Sequence, residues 1–200
     1  MKNLFRLFSM FCIAASFNAN AISIDLIADN TAINLGDSVE VQVRISGTED
    51  DIALGTYDVD FNYDASLFNI SSIIWGDALQ GNQLDLLGFG SLQDYSNGSG
   101  WLNLFELSFD SAMDLEMLQS GEFTLFSILL NSIAIGSSEF SLTNTIFGDA
   151  YGNELSIDQI NTTRVNISSV SVPEPSTIFL LLAGLLAITA LRAGVFKSSK

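Results

Sequence analysis

Carboxylates are the side chains through which this sequence could do chemistry. It contains 23 aspartates and glutamates but no histidine, and its one cysteine is Cys12. The absence of histidine excludes Ser-His-Asp triads, Cys-His dyads and histidine-ligated zinc. Two uses of carboxylates remain: binding of Ca²⁺, which takes several hard oxygen ligands, and glycoside hydrolysis by a pair of acidic side chains.

Three groups of acidic residues could supply such oxygens: Asp50 with Asp51, Asp58 with Asp60, and Asp110 with Asp114 and Glu116. The segment from Asp58 to Asp64 has oxygen-bearing side chains at alternate positions, but it lacks the glycine of an EF-hand loop and alternates like a strand. Nothing in the sequence identifies two acidic residues as the general acid and the nucleophile of a substrate cleft. We therefore predict a protein without catalytic residues, a metal site or a cofactor. Ca²⁺ binding and a carboxylate-pair glycoside hydrolase are kept as alternatives.

Charge is the most unusual bulk property of the sequence. Residues 22–172 contain 22 acidic side chains and two basic ones, Arg44 and Arg164, which gives a net charge of −20. Such a surface repels nucleic acid and anionic lipid, so we predict no nucleic-acid partner. The acidity favours solubility outside the cell or a basic partner.

The amino-terminal end has the layout of a secretory signal peptide. Lys2 and Arg6 precede an apolar stretch over residues 7–15, and Ala19 and Ala21 supply the small side chains required before the cleavage site. We predict a signal peptide over residues 1–21 with cleavage after Ala21. Cleavage there also removes Cys12, so the mature protein would form no disulfide.

The carboxy-terminal end has a second targeting pattern. A Val-Pro-Glu-Pro-Ser segment at residues 172–176 precedes an apolar run over residues 178–191, and basic residues follow. Fourteen helical residues rise about 21 Å, short of the roughly 30 Å hydrocarbon core. We therefore predict a transmembrane helix over residues 177–196 in which the Arg192 side chain reaches the interface. The basic anchor is expected to stay cytoplasmic and comprises Arg192, Lys197 and Lys200.

These carboxy-terminal features resemble the PEP-CTERM sorting signal. The resemblance implies that residues 171–200 form a sorting signal processed by an exosortase, at a motif made of Pro173, Glu174 and Pro175. The protein would then lie in the inner membrane only transiently, before it reaches the cell surface or the extracellular matrix. The apolar tail would be lost in the same way as that of a GPI signal. A permanent membrane anchor is the alternative.

Between the two ends, apolar residues recur with a period of two. Residues 39–45 alternate Val, Val, Val and Ile with Glu, Gln and Arg, and residues 57–63 alternate Tyr, Val, Phe and Tyr with Asp, Asp and Asn. This alternation is typical of half-buried strands. We predict one all-β domain over residues 22–170, a β-sandwich of seven to nine strands with at most a short helix over residues 112–119.

Several of these segments resemble cohesin domains. The segments are residues 39–45, residues 55–64 with their Tyr63-Asp64 ending, residues 125–130, and residues 142–155 with their glycine turn. The resemblance implies a cohesin-like jelly-roll sandwich that binds a dockerin-like protein or a polysaccharide. A carbohydrate-binding module acting on exopolysaccharide or in polysaccharide degradation and a matrix protein without a specific ligand are the alternatives.

Three aromatic residues are candidates for stacking on sugars: Trp75, Tyr95 and Trp101. They lie in or beside residues 76–100, a region rich in Gly, Asn and Ser that we expect to be a long exposed loop or an irregular hairpin. Packing of these rings in the core or under a loop is the alternative. A row of exposed aromatic rings would favour sugar binding, whereas a flat face of mixed polarity would favour a protein partner.

Overall fold

The computed structural model describes residues 22–48, 52–77 and 79–169, together with Leu181 and Leu185. The predicted cleavage site at Ala19 and Ala21, the sorting motif, the basic anchor and the rest of the helix over residues 177–196 lie outside these residues. The chain divides into two compact units, Met1–Ser168 and Ser169–Lys200. No helix in the described part of the chain has both the length and the apolarity needed to cross a bilayer.

The described part of the first unit contains eleven strands and one helix. In chain order they are β1 Ser23–Ala28, β2 Ala32–Asn34, β3 Ser38–Ser46, β4 Leu54–Asn62, β5 Phe68–Trp75, β6 Ser91–Gly98, β7 Trp101–Ser108, α1 Ala112–Leu118, β8 Glu122–Ser132, β9 Gly136–Asp149, β10 Gln159–Asn161 and β11 Thr163–Ser168. The short helix begins at its N-cap Ser111, whose side chain accepts a hydrogen bond from the Asp114 amide.

These strands form two sheets. One has the order β10-β1-β3-β8-β5 and the other the order β2-β11-β9-β4-β7-β6. The pairing is antiparallel except where β10 joins β1 and β2 joins β11. The prediction of an all-β jelly-roll sandwich is confirmed. The predicted strand number is too low because β2 and β10 are only three residues long and β6 lacks an apolar alternation.

The core lies between the two sheets and follows the alternation in the sequence. In β4, Tyr57, Val59 and Phe61 are fully buried, so the polar residues between them point outwards. The ring of Phe140 in β9 lies 5.7 Å from that of Phe61 and 5.3 Å from that of Phe68. Each fully buried ring of this size stabilises the fold by about 1.5–3 kcal/mol.

Two carboxylates accept hydrogen bonds within the polar turns that follow β4 and β9. Asp64 accepts hydrogen bonds from the Ser66 hydroxyl at 2.6 Å and the Ser66 amide at 2.9 Å, and these bonds lower the pKa of Asp64. Asp149 accepts a 2.9 Å bond from the Asn153 side chain, the main cause of its lowered pKa, and further bonds from backbone amides of the same turn. Both side chains fix turns that the sequence marks with Asp, and the second turn also contains Gly152.

Residues 76–100 divide into a loop and a strand. The loop begins with a bridge between Asp77 and Gly81, and the second half is β6, the outermost strand of the six-stranded sheet, which forms a hairpin with β7. Of the two predicted alternatives, the loop therefore describes the first half of the region and the hairpin the second.

A buried carboxylate connects this loop to the core. Glu106 is fully buried. It accepts hydrogen bonds from the Tyr57 hydroxyl at 2.9 Å, the side-chain amide of Asn82 at 2.5 Å and the side-chain amide of Gln93 at 2.9 Å. The Ser91 hydroxyl donates a fourth bond at 2.5 Å. Burial, and then the charge and hydrogen bond of Glu106, raise the pKa of Tyr57 well above its ordinary value. The network holds the loop against the inner side of the sheet and connects β6 to β7 through side chains.

Candidate binding face

The side chains of β4, β6, β7 and β9 that point away from the core form one continuous surface, called here the outer face. Strand register aligns its residues in rows across the sheet. Asp58 lies between Phe105 and Ile146, and Thr56 and Leu92 flank Leu107 in the next row.

One half of the outer face is mainly apolar, although Asp58 and Asp94 flank Phe105 within it. Leu92 is 49% exposed, Leu107 is 37% exposed and Ile146 is 62% exposed, and the half-buried Phe105 lies among them. These side chains belong to three different strands, so their proximity is a property of the fold. Leu92 and Leu107 are cross-strand neighbours and Phe105 lies on the same side of β7, whereas Ile146 lies beyond Asp58. Exposed apolar side chains grouped in this way mark interaction sites.

The other half is a network of amides and carboxylates. The Asn103 amide donates to Asp58 at 2.7 Å and to Asp60 at 2.9 Å, and the Asn144 amide donates to the second oxygen of Asp60 at 2.6 Å. Asn62 donates to the Thr143 hydroxyl at 2.8 Å. The network fixes the orientation of these side chains, so their unused donors and acceptors are preorganised for a partner.

A shallow depression of about 430 Å³ lies over this polar half and is bordered by Trp101.

A bulge in β9 positions part of the network. Asp58 pairs with Ile146 and Asp60 pairs with Thr143, so two residues of β9 lie opposite Val59 alone. One of them, Asn144, has φ +48°, which is uncommon for a residue other than glycine. The strained backbone brings the Asn144 side chain onto Asp60, as bulges often do beside functional sites.

The structure also places the acidic groups considered for chemistry. Asp58 and Asp60 lie on the open outer face, joined through Asn103, and Asp110 accepts a 2.7 Å hydrogen bond from the Leu86 amide of the loop. Asp50 and Asp51 fall outside the described residues. Within residues 22–48, 52–77 and 79–169, no three carboxylates cluster in a way that could hold a metal ion. Binding of Ca²⁺ stays an untested alternative.

The three candidate aromatic residues do not share one surface. Trp101 is 38% exposed on the outer face. Tyr95 pairs with Leu104, which faces the core, and therefore lies on the opposite side of β6. Tyr95 and Trp75 together line a groove between strands β5 and β6. Their part in sugar binding stays a proposal.

The fold is a β-sandwich similar to that of solved cohesin domains. A family model of the cohesin domain matches residues 26–88, and a model of the PEP-CTERM protein-sorting motif matches residues 171–193. Both resemblances inferred from the sequence are confirmed by these matches. No curated protein matches the chain significantly.

Solved cohesin structures share the fold. A non-cellulosomal cohesin from the hyperthermophilic archaeon Archaeoglobus fulgidus is 18% identical with a TM-score of 0.55, over 76% of this chain and 94% of that one. A type II cohesin domain from the cellulosome of Acetivibrio cellulolyticus is 15% identical with a TM-score of 0.59, over 73% and 95%. The cohesin of a type I cohesin–dockerin complex from Clostridium thermocellum is 19% identical with a TM-score of 0.58, over 74% and 100%. At these identities the likeness establishes the fold alone.

Proposed function

We propose that this is an exported, noncatalytic protein of the cell surface or extracellular matrix whose cohesin-type domain binds a second protein through the outer face. The observation that carries the proposal is the composition of that face. A broad, open sheet surface with a mainly apolar half and a hydrogen-bonding half has the anatomy of a protein interface. Small-molecule sites are usually deeper clefts, whereas Asp58 and Asp60 lie on an open sheet face where only a shallow depression adjoins Asp60.

The proposed partner is a dockerin-like protein. One of the similar structures is a cohesin–dockerin complex, which supports this class of partner without identifying it. The outer face bears Asp58, Asp60 and Asp94, and the domain around it is strongly acidic. A partner that presents basic side chains or N–H and O–H donors would complement these charges.

The proposed route to the surface uses both ends of the chain. The match to the PEP-CTERM protein-sorting motif over residues 171–193 supports export and sorting. In this account signal peptidase cuts after Ala21, and an exosortase then recognises the motif of Pro173, Glu174 and Pro175. The basic anchor of Arg192, Lys197 and Lys200 would hold the tail across the inner membrane until that step. The membrane attachment is thus transient, and the acidic domain ends outside the cell.

Replacing Leu107 with aspartate should weaken partner binding about 100-fold. The substitution places a charge in the apolar half of the outer face, where an interface would bury it without a partner. The chain is immobilised and incubated with the host's secreted fraction. The measurement is the amount of retained protein that soluble wild-type chain can displace.

Ile27→Asp is the matched control for this test. Ile27 is 38% exposed, nearly the same as the 37% of Leu107, but it lies on the outward side of β1 in the other sheet. Retention by the Ile27→Asp chain should equal that of the wild type. Equal retention by the Leu107→Asp chain would exclude the outer face as the binding surface.

A further inference from the structure

The groove that contains Tyr95 and Trp75 lies at one edge of the sandwich, away from the outer face. It has a volume of about 330 Å³, and its lining comes from the outermost strands of the two sheets, β5 and β6, with one residue of β7: Ile70, Ser71, Ser72, Ile73, Trp75, Tyr95, Asn97 and Leu102. Its size falls within the range of small-ligand sites, at the lower end.

Two local features of the chain form this groove. In β6, Tyr95 and Asn97 pair with the buried Leu104 and Leu102, so they face inwards, whereas Asp94 and Ser96 pair with residues of the outer face. In β5, the pairing with β8 skips Ser71 between Ile70 and Ser72. This bulge keeps Ile70, Ile73 and Trp75 on the same inner side of the strand.

The lining is uncharged in a domain that is otherwise strongly acidic. None of the eight lining residues carries a charge, although residues 22–172 have a net charge of −20. The lining offers the ring of Tyr95, which is 58% exposed, the exposed part of Trp75, whose ring also packs against the core, and the hydroxyl and amide groups of Ser71, Ser72 and Asn97. Aromatic faces pack against the C–H faces of a sugar ring, and hydroxyl and amide groups hydrogen-bond its hydroxyls.

We propose that this groove binds a neutral saccharide, as a segment of an extracellular polysaccharide chain. An anionic polysaccharide is excluded because the lining supplies no basic side chain and the surrounding carboxylates repel a polyanion. The groove and the outer face lie on opposite sides of β6, so a saccharide and a protein partner can be bound together. The domain would then connect its protein partner to the matrix polymer.

The test is native electrophoresis of the protein as recovered from its host, through gels containing a neutral polysaccharide. Hydroxyethylcellulose, galactomannan and pullulan are the neutral probes, and alginate is the anionic one. At least one neutral polymer should retard the wild-type chain, and alginate should not. Tyr95→Ala should weaken the interaction about tenfold through the loss of one stacking ring.

Two controls separate this site from the outer face. Trp101→Ala removes an exposed aromatic ring from the outer face, and Leu107→Asp disrupts the proposed protein site; both should leave the retardation unchanged. Because the chain has two tryptophans, Trp101→Phe makes Trp75 the only indole, and its fluorescence should change when the retarding polymer is added.

Three outcomes would overturn the proposal: no retardation by any of the three neutral polymers, stronger retardation by alginate, or equal retardation of the Tyr95→Ala and wild-type chains. A groove that instead holds an extended peptide would give the first of these results. Failure of this test leaves the protein-binding test with Leu107→Asp unaffected, since the two tests use different surfaces and probes.

Discussion

Replacing Glu106 with alanine is expected to cause the largest loss of stability of any single polar substitution in the domain. The fully buried carboxylate accepts four side-chain hydrogen bonds. Its removal leaves the buried Tyr57 and the half-buried Asn82 and Ser91 without that acceptor, and the exposed Gln93 loses it as well. The free energy of unfolding should fall by about 3 kcal/mol or more, which lowers Tm by about 6–12 °C.

Thermal and urea unfolding of two further variants makes this result specific. Glu106→Gln keeps the size and one acceptor oxygen and should cost about 1 kcal/mol. Glu139→Ala removes an exposed glutamate whose ion pair with Arg164 spans 2.7 Å, and it should change the stability by less than about 1 kcal/mol. If Glu106→Ala unfolds at the same temperature as Glu139→Ala, the network does not hold the loop and β6 in place.

Replacing Pro173 and Pro175 together with alanine should leave nearly all of the chain unprocessed in the membrane fraction. Proline differs from alanine in its fixed φ and missing backbone donor, so the double substitution alters the backbone chemistry of the motif that the proposed processing enzyme recognises. The double variant loses both prolines of the motif while the apolar run that follows is unchanged in sequence. Immunoblots of membrane, surface and medium fractions, with intact masses of the recovered chains, measure the effect.

The matched control for the sorting variant is Ser171→Ala, a change of similar size just before the motif. Its product should reach the surface or medium with the same mass as the wild-type product, and its amino terminus should be Ile22. Normal processing of the proline double variant would refute the proposed role of the motif.

The fold was predictable where one face of a strand is buried along its whole length. Residues 39–45 of β3 and 57–61 of β4 alternate in the sequence and alternate in burial, because the two-residue period of a strand maps directly onto inside and outside. The same alternation indicated that Asp58 and Asp60 are solvent-facing. It did not show that Asn103 and Asn144 join them, since those contacts depend on register and on the bulge in β9.

The sequence was least informative at the edge of the sandwich. All but the two ends of β6 are exposed, so the strand shows no burial pattern and is held by its pairing with β7 and by Glu106. Leu102, Leu104 and Glu106 occupy successive inward positions of β7. A glutamate where the alternation predicts an apolar residue is the signal that could have revealed a buried network. Trp101 is separated from Trp75 and Tyr95 because it lies on the other side of the sheet. That separation could not be predicted before β6 was recognised as a strand.

Photo-crosslinking in the living host tests the proposed binding face most directly. A benzophenone amino acid is placed at position 107 on the outer face, or at position 27 on the other sheet as the control, and the surface fraction is irradiated. The proposed function predicts a discrete adduct with one secreted protein from position 107 and none from position 27. No adduct from position 107, or the same adducts from both positions, would contradict it.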